Sequence, residues 1–332
     1  RGVRKIIDPQ GLARLDHKIE AGKVVLFLGA GASMGAGGPD GRLLIENIER
    51  KFGIPASNSN DMLEICKLVL DLPGVDRRDL EKLVNEQLGR LQPTGAHYAL
   101  CRHRWSAVYT TNFDDLLELT YRTATDPVQS HCDVIHAKRS IFSWSTDSVL
   151  PVFKLMGTIH QTDPESQPVL SRRDFNRRLI AQRELLNSLT DFVRDGTFIY
   201  LGYSFEDEIA LTMLDFVQES SGAERLPWGY VISPSVSSRV AALLPKYKLI
   251  HLPWRFDEFA EHLNGLSSAL QQPGSKPKGI LRVQLKDCAI SLDLSDPEVL
   301  GLTRQFEVVH EATGDNSKSK DALEQQILNF YE

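Results

Sequence analysis

Five stretches of the chain carry residues that could do chemistry on a nucleotide. The first is Gly29-Ala30-Gly31-Ala32-Ser33, where small residues let a phosphate approach the backbone and the glycine N–H groups could face a pyrophosphate. The second is Thr110-Thr111-Asn112-Phe113-Asp114-Asp115, an amide and two carboxylates able to hydrogen-bond a ligand or take a proton. The third, Lys154-Leu155-Met156-Gly157-Thr158-Ile159-His160, ends in a histidine suited to general base work. Gly202-Tyr203-Ser204 repeats the glycine-then-hydroxyl pattern, and Ser233 closes a later apolar run. Each has a plainer reading. The glycines fit an unliganded turn, Asn112 fits a helix N-cap with Asp114 and Asp115 favouring the helix start, and a lone histidine is most often a satisfied surface or core residue.

Position separates the two kinds of reading. Val24-Val25-Leu26-Phe27-Leu28 is too short for a helix and rich in β-formers, so it reads as a buried strand running into the glycine loop. Similar strands are read at Ala107–Thr111, Val152–His160, Thr197–Leu201, Trp228–Ile232 and Tyr247–Leu252, separated by helical patterns at Pro9–Glu20 and Leu43–Phe52 and in a polar helix after Phe175. Strands alternating with helices, each ending in small or polar residues, predict an α/β fold with a doubly wound, mostly parallel sheet, and such sheets bind ligands at the carboxyl ends of their strands. The stretch from about 55 to 104 stays helical apart from Pro73-Gly74 and reads as an insertion on that core. Residues 1–270 are read as one nucleotide-binding domain, 271–278 (QPGSKPK and its flank) as a linker, and 279–332 as an extension that packs on the domain or on another subunit. That extension holds a strand-like Ile280–Leu285 and a final helix, Asp321–Tyr331.

Composition excludes several classes. A net charge of −6 without a basic block argues against nucleic acid as a direct ligand, and no apolar run reaches membrane-spanning length. Cys66, Cys101, Cys132 and Cys288 form no CxxC pair, so neither a zinc ribbon nor a disulfide framework is indicated and a reducing cytoplasm fits. There is no Gly-Lys-Ser/Thr of a P-loop, and the third glycine of a strict GxGxxG would fall at Met34. The opening RGVRKIIDPQ has neither an initiator methionine nor a signal-peptide core, which is expected of a processed or trimmed chain and is compatible with a larger parent protein.

In this order, GAGAS at 29–33, TTNFDDLLE at 110–118, KLMGTIH at 154–160 and LGYSFED at 201–207 resemble the sirtuin-like domain of bacterial NAD-consuming anti-phage defence proteins, over roughly residues 15 to 265. The resemblance implies a Rossmann-like sirtuin core. It implies NAD+ as substrate, held by Gly29, Ala30, Gly31, Ser33, Thr111, Gly202, Ser204 and Ser233, with Asn112 catalytic and Asp114 beside it. It departs from the protein-deacylating sirtuins, whose four-cysteine zinc module this chain cannot build, so no zinc is expected. It departs also at Met156, where the family's catalytic histidine stands before glycine. His160 lies four residues on, roughly 13 Å along a straight strand at about 3.3 Å per residue, and serves as base only if the strand ends and the chain curls back. The activity implied is NAD+ glycohydrolysis to ADP-ribose and nicotinamide by a cytoplasmic bacterial homo-oligomer, kept inactive until a phage or nucleic-acid trigger reaches a partner ATPase or nuclease subunit or a fused sensor domain. The alternatives are an assembly module that binds NAD or ADP-ribose with little cleavage, and an NAD-dependent protein deacylase.

Overall fold

The computed structural model describes residues 9–135, 148–159, 166–181, 196–205, 211–212, 214–215, 228–270, 280–284 and 289–293. Its centre is a seven-stranded sheet of β1 (Val24–Leu28), β2 (Ala107–Thr110), β3 (His131–Ile135), β4 (Val149–Lys154), β5 (Thr197–Leu201), β6 (Gly229–Ile232) and β7 (Leu249–Leu252). Every pairing is parallel, in the order β3-β4-β2-β1-β5-β6-β7. The chain leaves β1 toward one edge and returns to the other side of β1 at β5, so the crevice at the C-terminal ends of β1 and β5 is the switch point where open α/β sheets take ligands.

Period-two alternation explains the two-sided burial of β1. Val25 and Phe27 enter one apolar cluster, Val24, Leu26 and Leu28 the other. On the first face, register stacks four aromatic rings across four neighbouring strands: Phe153 on Tyr109 (4.4 Å between ring centres), Tyr109 on Phe27 (5.2 Å) and Phe27 on Tyr200 (4.7 Å). The other face is covered by α1 (Pro9–Glu20), α5 (Gly95–Leu100), α6 (Leu116–Thr123) and α9 (Phe256–Leu270); Val240 of α8 (Ser238–Leu243) joins the aromatic face.

Between β1 and β2, α2 (Gly41–Phe52), α3 (Met62–Leu70) and α4 (Arg77–Leu88) build a third apolar cluster of their own. Aspartates start these helices: Asp40 and Asp61 accept from first-turn N–H groups, and Asp76 forms a capping box with Asp79. The cluster takes in Phe113, Met156, Ile159 and Phe175, the last from α7 (Arg172–Ala181). Arg77 fastens the same contact, donating to Asp174 (2.5 Å), Glu81 (2.6 Å) and the Pro168 carbonyl (2.5 Å).

Two strand readings need correction. β3 was not foreseen, because its pattern runs from exposed His131 through half-buried positions to buried Ile135 on the sheet edge and offers no apolar run. The strand read as reaching His160 stops at Lys154. Gly157 then adopts φ +82°, where a Cβ would lie 2.1 Å from the Gln167 carbonyl oxygen, and the chain turns so that Val169 N–H bonds the Met156 carbonyl. The strand predicted at Ile280–Leu285 forms as β8 (Ile280–Gln284), antiparallel to β9 (Ala289–Asp293). The linker 271–278, the final helix 321–331 and His160 lie outside the described residues.

Candidate functional site

The loop after β1 is shaped by close backbone packing. A Cβ on Gly29 would lie 2.7 Å from the Gly202 carbonyl oxygen, and one on Gly31 2.7 Å from the Gly202 Cα. Gly202 itself sits at φ +74°, where its own Cβ would meet Ala32 N at 2.4 Å. The loops that follow β1 and β5 therefore interlock. Both glycine amides are already committed, Gly29 N–H to the Leu201 carbonyl (2.9 Å) and Gly31 N–H to the Gly202 carbonyl (3.0 Å). The sequence reading had those amides facing a pyrophosphate. Here they fasten the loop, and what the glycines offer a ligand is an uncrowded surface.

Asn112 is not a helix cap. Asp115 occupies the N-cap position of α6, and Leu116 N–H bonds Asp114 Oδ1 (3.1 Å). Asn112 Nδ2 instead donates to the Gly29 carbonyl and to Ser33 Oγ, both at 3.0 Å, and Ser33 Oγ donates to Asp114 Oδ2 at 2.7 Å. Because the Gly29 carbonyl only accepts, the amide orientation is set, and Asn112 Oδ1 has no partner among the described residues. Asn112 and Thr111 are half-buried, whereas Ser33 and Asp114 are buried. Thr111 Oγ1 meets the Tyr203 hydroxyl (3.1 Å) across the crevice.

Gly29, Ala30, Gly31, Ser33, Thr111, Asn112, Asp114 and Gly202 thus converge on one crevice. Ser204 follows on the β5 loop and is exposed. Ser233, at the end of the neighbouring β6, is buried with its hydroxyl bonded to the Ser235 carbonyl (3.1 Å) and beside His251 Nε2 (3.3 Å). Met156 is buried in the third apolar cluster and contributes no titratable group. Among the described residues, no group of three or more His, Cys, Asp and Glu could hold a metal ion, and no helix is long and apolar enough to cross a membrane.

Two groups below the crevice escaped the sequence reading. His97 on α5 accepts from Thr94 N–H through Nδ1 (3.1 Å), so its proton sits on Nε2, and its ring hydrogen-bonds the Ala32 backbone. Burial holds it below the usual histidine range against the opposing pull of Asp114. A buried histidine on an amphipathic helix has no distinguishing pattern in sequence. Lys154, the last residue of β4, is 1% exposed. Its signal was legible, a lone cation closing an apolar run.

A cavity of about 20 Å3, room for one water, lies among Ser33, His97, Asn112, Asp114, Glu118 and Lys154. It is far too small for a nucleotide-sized ligand. A roomier cavity of about 610 Å3, bordered by Tyr98, Arg102, Asp126 and Glu261, holds none of the convergent groups.

Comparison with known proteins takes in part of this crevice. Residues 106–252 match the SIR2-like domain. That match takes in Asn112, Asp114, Lys154, Gly202 and Ser233, and the glycine loop precedes it. Three curated relatives carry the name NAD(+) hydrolase ThsA. The one from Bacillus cereus (strain MSX-D12) is 24% identical over 183 residues, 55% of this chain and 37% of that protein. Those from Acinetobacter baumannii (strain 532279) and Enterococcus faecium are 23% and 25% identical, covering 58% and 59% of this chain and 39% and 40% of theirs. The chain therefore spans well under half the length of these relatives. Among solved structures, a Sir2 homologue–NAD complex aligns over 82% of this chain and 98% of its own, with 16% identity and a TM-score of 0.47. The motif resemblance and the family match agree over residues 106–252 on similarity to a SIR2-like domain.

Proposed function

We propose that the chain is an NAD+ glycohydrolase. The observation that carries this is the Ser33–Asn112–Asp114 network at the switch point: Asn112, released from any capping role, bridges two loops and keeps its amide oxygen for a substrate hydroxyl or water. The names of the ThsA relatives support the choice of substrate.

In the reaction, the bond between ribose C1′ and the nicotinamide nitrogen breaks and its electron pair leaves with nicotinamide, which departs neutral. Positive charge builds on the ribose, and water adds to C1′ and gives up a proton. Because nicotinamide leaves from a cation, no acid is required. Asn112 orients the ribose or the water, and Asp114 stabilises the cation and takes the proton by way of the Ser33 hydroxyl. His160 enters as a base through the motif resemblance alone. Ala30, Gly31, Thr111, Gly202 and Ser204 border the nucleotide, and Ser233 lies toward its adenosine end. The same resemblance supports an NAD-depleting role in bacterial anti-phage defence, in the cytoplasm, as a homo-oligomer with a partner or fused sensor.

Burial of Met156 where a family histidine would stand favours a second reading, a module that binds NAD or ADP-ribose without turnover. Release of nicotinamide and ADP-ribose from NAD, followed chromatographically for the wild type, Asn112→Ala and His160→Ala, separates the two. Cleavage that falls about 10²–10³-fold in Asn112→Ala supports the hydrolase. NAD binding without cleavage, at every protein concentration and with candidate partners added, supports the module and overturns the hydrolase.

A further inference from the structure

Lys154 reaches from the end of β4 beneath the loop that carries Asn112 and Asp114. Its ammonium lies 2.5 Å from the Asp114 carbonyl oxygen, 2.7 Å from Glu118 Oε1, 3.0 Å from Thr158 Oγ1 and 3.3 Å from Asp115 Oδ1. Thr158 Oγ1 in turn lies 2.8 Å from Asp115 Oδ1 and 3.2 Å from the Phe113 carbonyl. One atom with three tetrahedral donors and no lone pair therefore ties the end of the sheet, the first turn of α6 and the backbone between them. No other side chain supplies three donors from a single centre at that depth.

The arrangement is costly if stability were all it served. A lysine 1% exposed gives up its hydration, and apolar side chains of similar volume commonly replace such buried ion pairs without loss of stability. What an apolar side chain cannot do is hold a carbonyl. The Asp114 carbonyl is fixed on one side by Lys154, and the Asp114 carboxylate on the other by Ser33 and Leu116 N–H. With both ends of the residue held, Asp114 has a single orientation toward Ser33, and Asn112, two residues earlier, shares it.

Resting on the glycohydrolase reading and deepening it, we propose that Lys154 is a positioning residue, which through the Asp114 carbonyl holds the Asn112–Asp114 loop in its reactive arrangement. Glu118 and Asp115 are the counter-charges that keep the ammonium charged in place. Both act through their contacts with Lys154.

The test uses the full chain in three forms: wild type, Lys154→Met, and Lys154→Met/Glu118→Gln. The double variant removes the counter-charge along with the cation and guards against simple unfolding. In it, Tm stays within a few degrees of wild type, kcat for nicotinamide release falls roughly 30–100-fold, and KM stays within about threefold, as a misplaced catalytic group predicts. In the same variant, amide exchange at Asn112 and Leu116, whose N–H groups bond Thr110 Oγ1 and Asp114 Oδ1, quickens about tenfold while β5 to β7 are unchanged. Wild-type exchange at those two amides, exchange raised evenly across the sheet, or kcat near wild type in the double variant overturns the proposal. The exchange measurement needs no turnover. If the wild type cleaves nothing, the hydrolase reading fails while the positioning role is still decided by the exchange rates.

Discussion

Replacing Gly202 with alanine tests whether the interlocked loops, and not the glycines' amides, make the site. The residue sits at φ +74°, a backbone conformation that costs a side-chain-bearing residue about 1–2 kcal/mol. The added Cβ would stand 2.4 Å from Ala32 N and 2.7 Å from the Gly31 carbonyl carbon. Both are backbone atoms that cannot rotate away, so the Gly29–Ala32 loop must retreat by about 1 Å, adding about 1–3 kcal/mol of overpacking. A total near 3 kcal/mol lowers Tm by about 6–12 °C. Gly74 is the natural control, because it has φ +77° with nothing within 4 Å of the added Cβ. Gly74→Ala carries the backbone cost alone, about 3–6 °C, and leaves the site intact. Scanning calorimetry beside nicotinamide release reads both effects. In Gly202→Ala, kcat/KM falls about 100-fold, since the loop that carries Ser33 and accepts from Asn112 has moved by about 1 Å. If Gly202→Ala matches Gly74→Ala in both Tm and turnover, the close approach of the two loops is irrelevant to the site and the reasoning fails.

Ser33→Ala removes the hydroxyl between Asn112 and Asp114 and leaves a buried carboxylate oxygen without its donor, costing about 1–3 kcal/mol and lowering kcat about 10–100-fold; calorimetry and product release measured together check it. Stability should also depend on pH through the buried histidines. Burial holds His97 below its ordinary value, as it does His103, so the unfolded chain takes up these protons first as pH falls below about 6.5. The contribution is therefore complete above that value and is lost as pH drops toward the folded-state values. Urea unfolding at pH 7.5 and 5.5 should show the wild type less stable at the lower pH, and a His97→Gln/His103→Gln variant should lose much of that difference; equal slopes would refute the assignment.

The sheet was legible because its central strands are buried on both faces and so appear as short apolar runs ending in glycine or a hydroxyl. β3 was illegible for the converse reason: at the sheet edge, His131 and Asp133 interrupt the apolar signal. The end of β4 was misplaced because the apolar run continues past the strand through Leu155, Met156 and Ile159; Leu155 packs in the aromatic-face cluster, and Met156 and Ile159 serve the third cluster. For Asn112, local sequence could not choose between cap and site. The partners that decide, Gly29 and Ser33, lie 83 and 79 residues away, and only the fold brings them within 3.0 Å.

Phe113 explains how one loop can serve packing and chemistry together. Its side chain enters the third cluster with Met156, Ile159, Val169 and Phe175, and its carbonyl accepts from Ile159 N–H at 2.9 Å. Its two neighbours take the opposite commitment, Asn112 to the glycine loop and Asp114 to Ser33. Asn112 and Asp114 are therefore clamped from three directions: by the apolar cluster through Phe113, by the interlocked glycine loops through Ser33, and by Lys154 through the Asp114 carbonyl. In this frame Met156 is a packing residue, and its thioether fills the cluster that anchors Phe113. Helices α2 to α4 supply most of that cluster, so their packing and the geometry of Asn112 and Asp114 are mechanically joined. A histidine at position 156 would have to serve that packing as well. The chain instead keeps the cluster apolar, and on the proposed glycohydrolase reading proton transfer falls to the carboxylate of Asp114, the titratable group that Ser33 of the glycine loop holds directly.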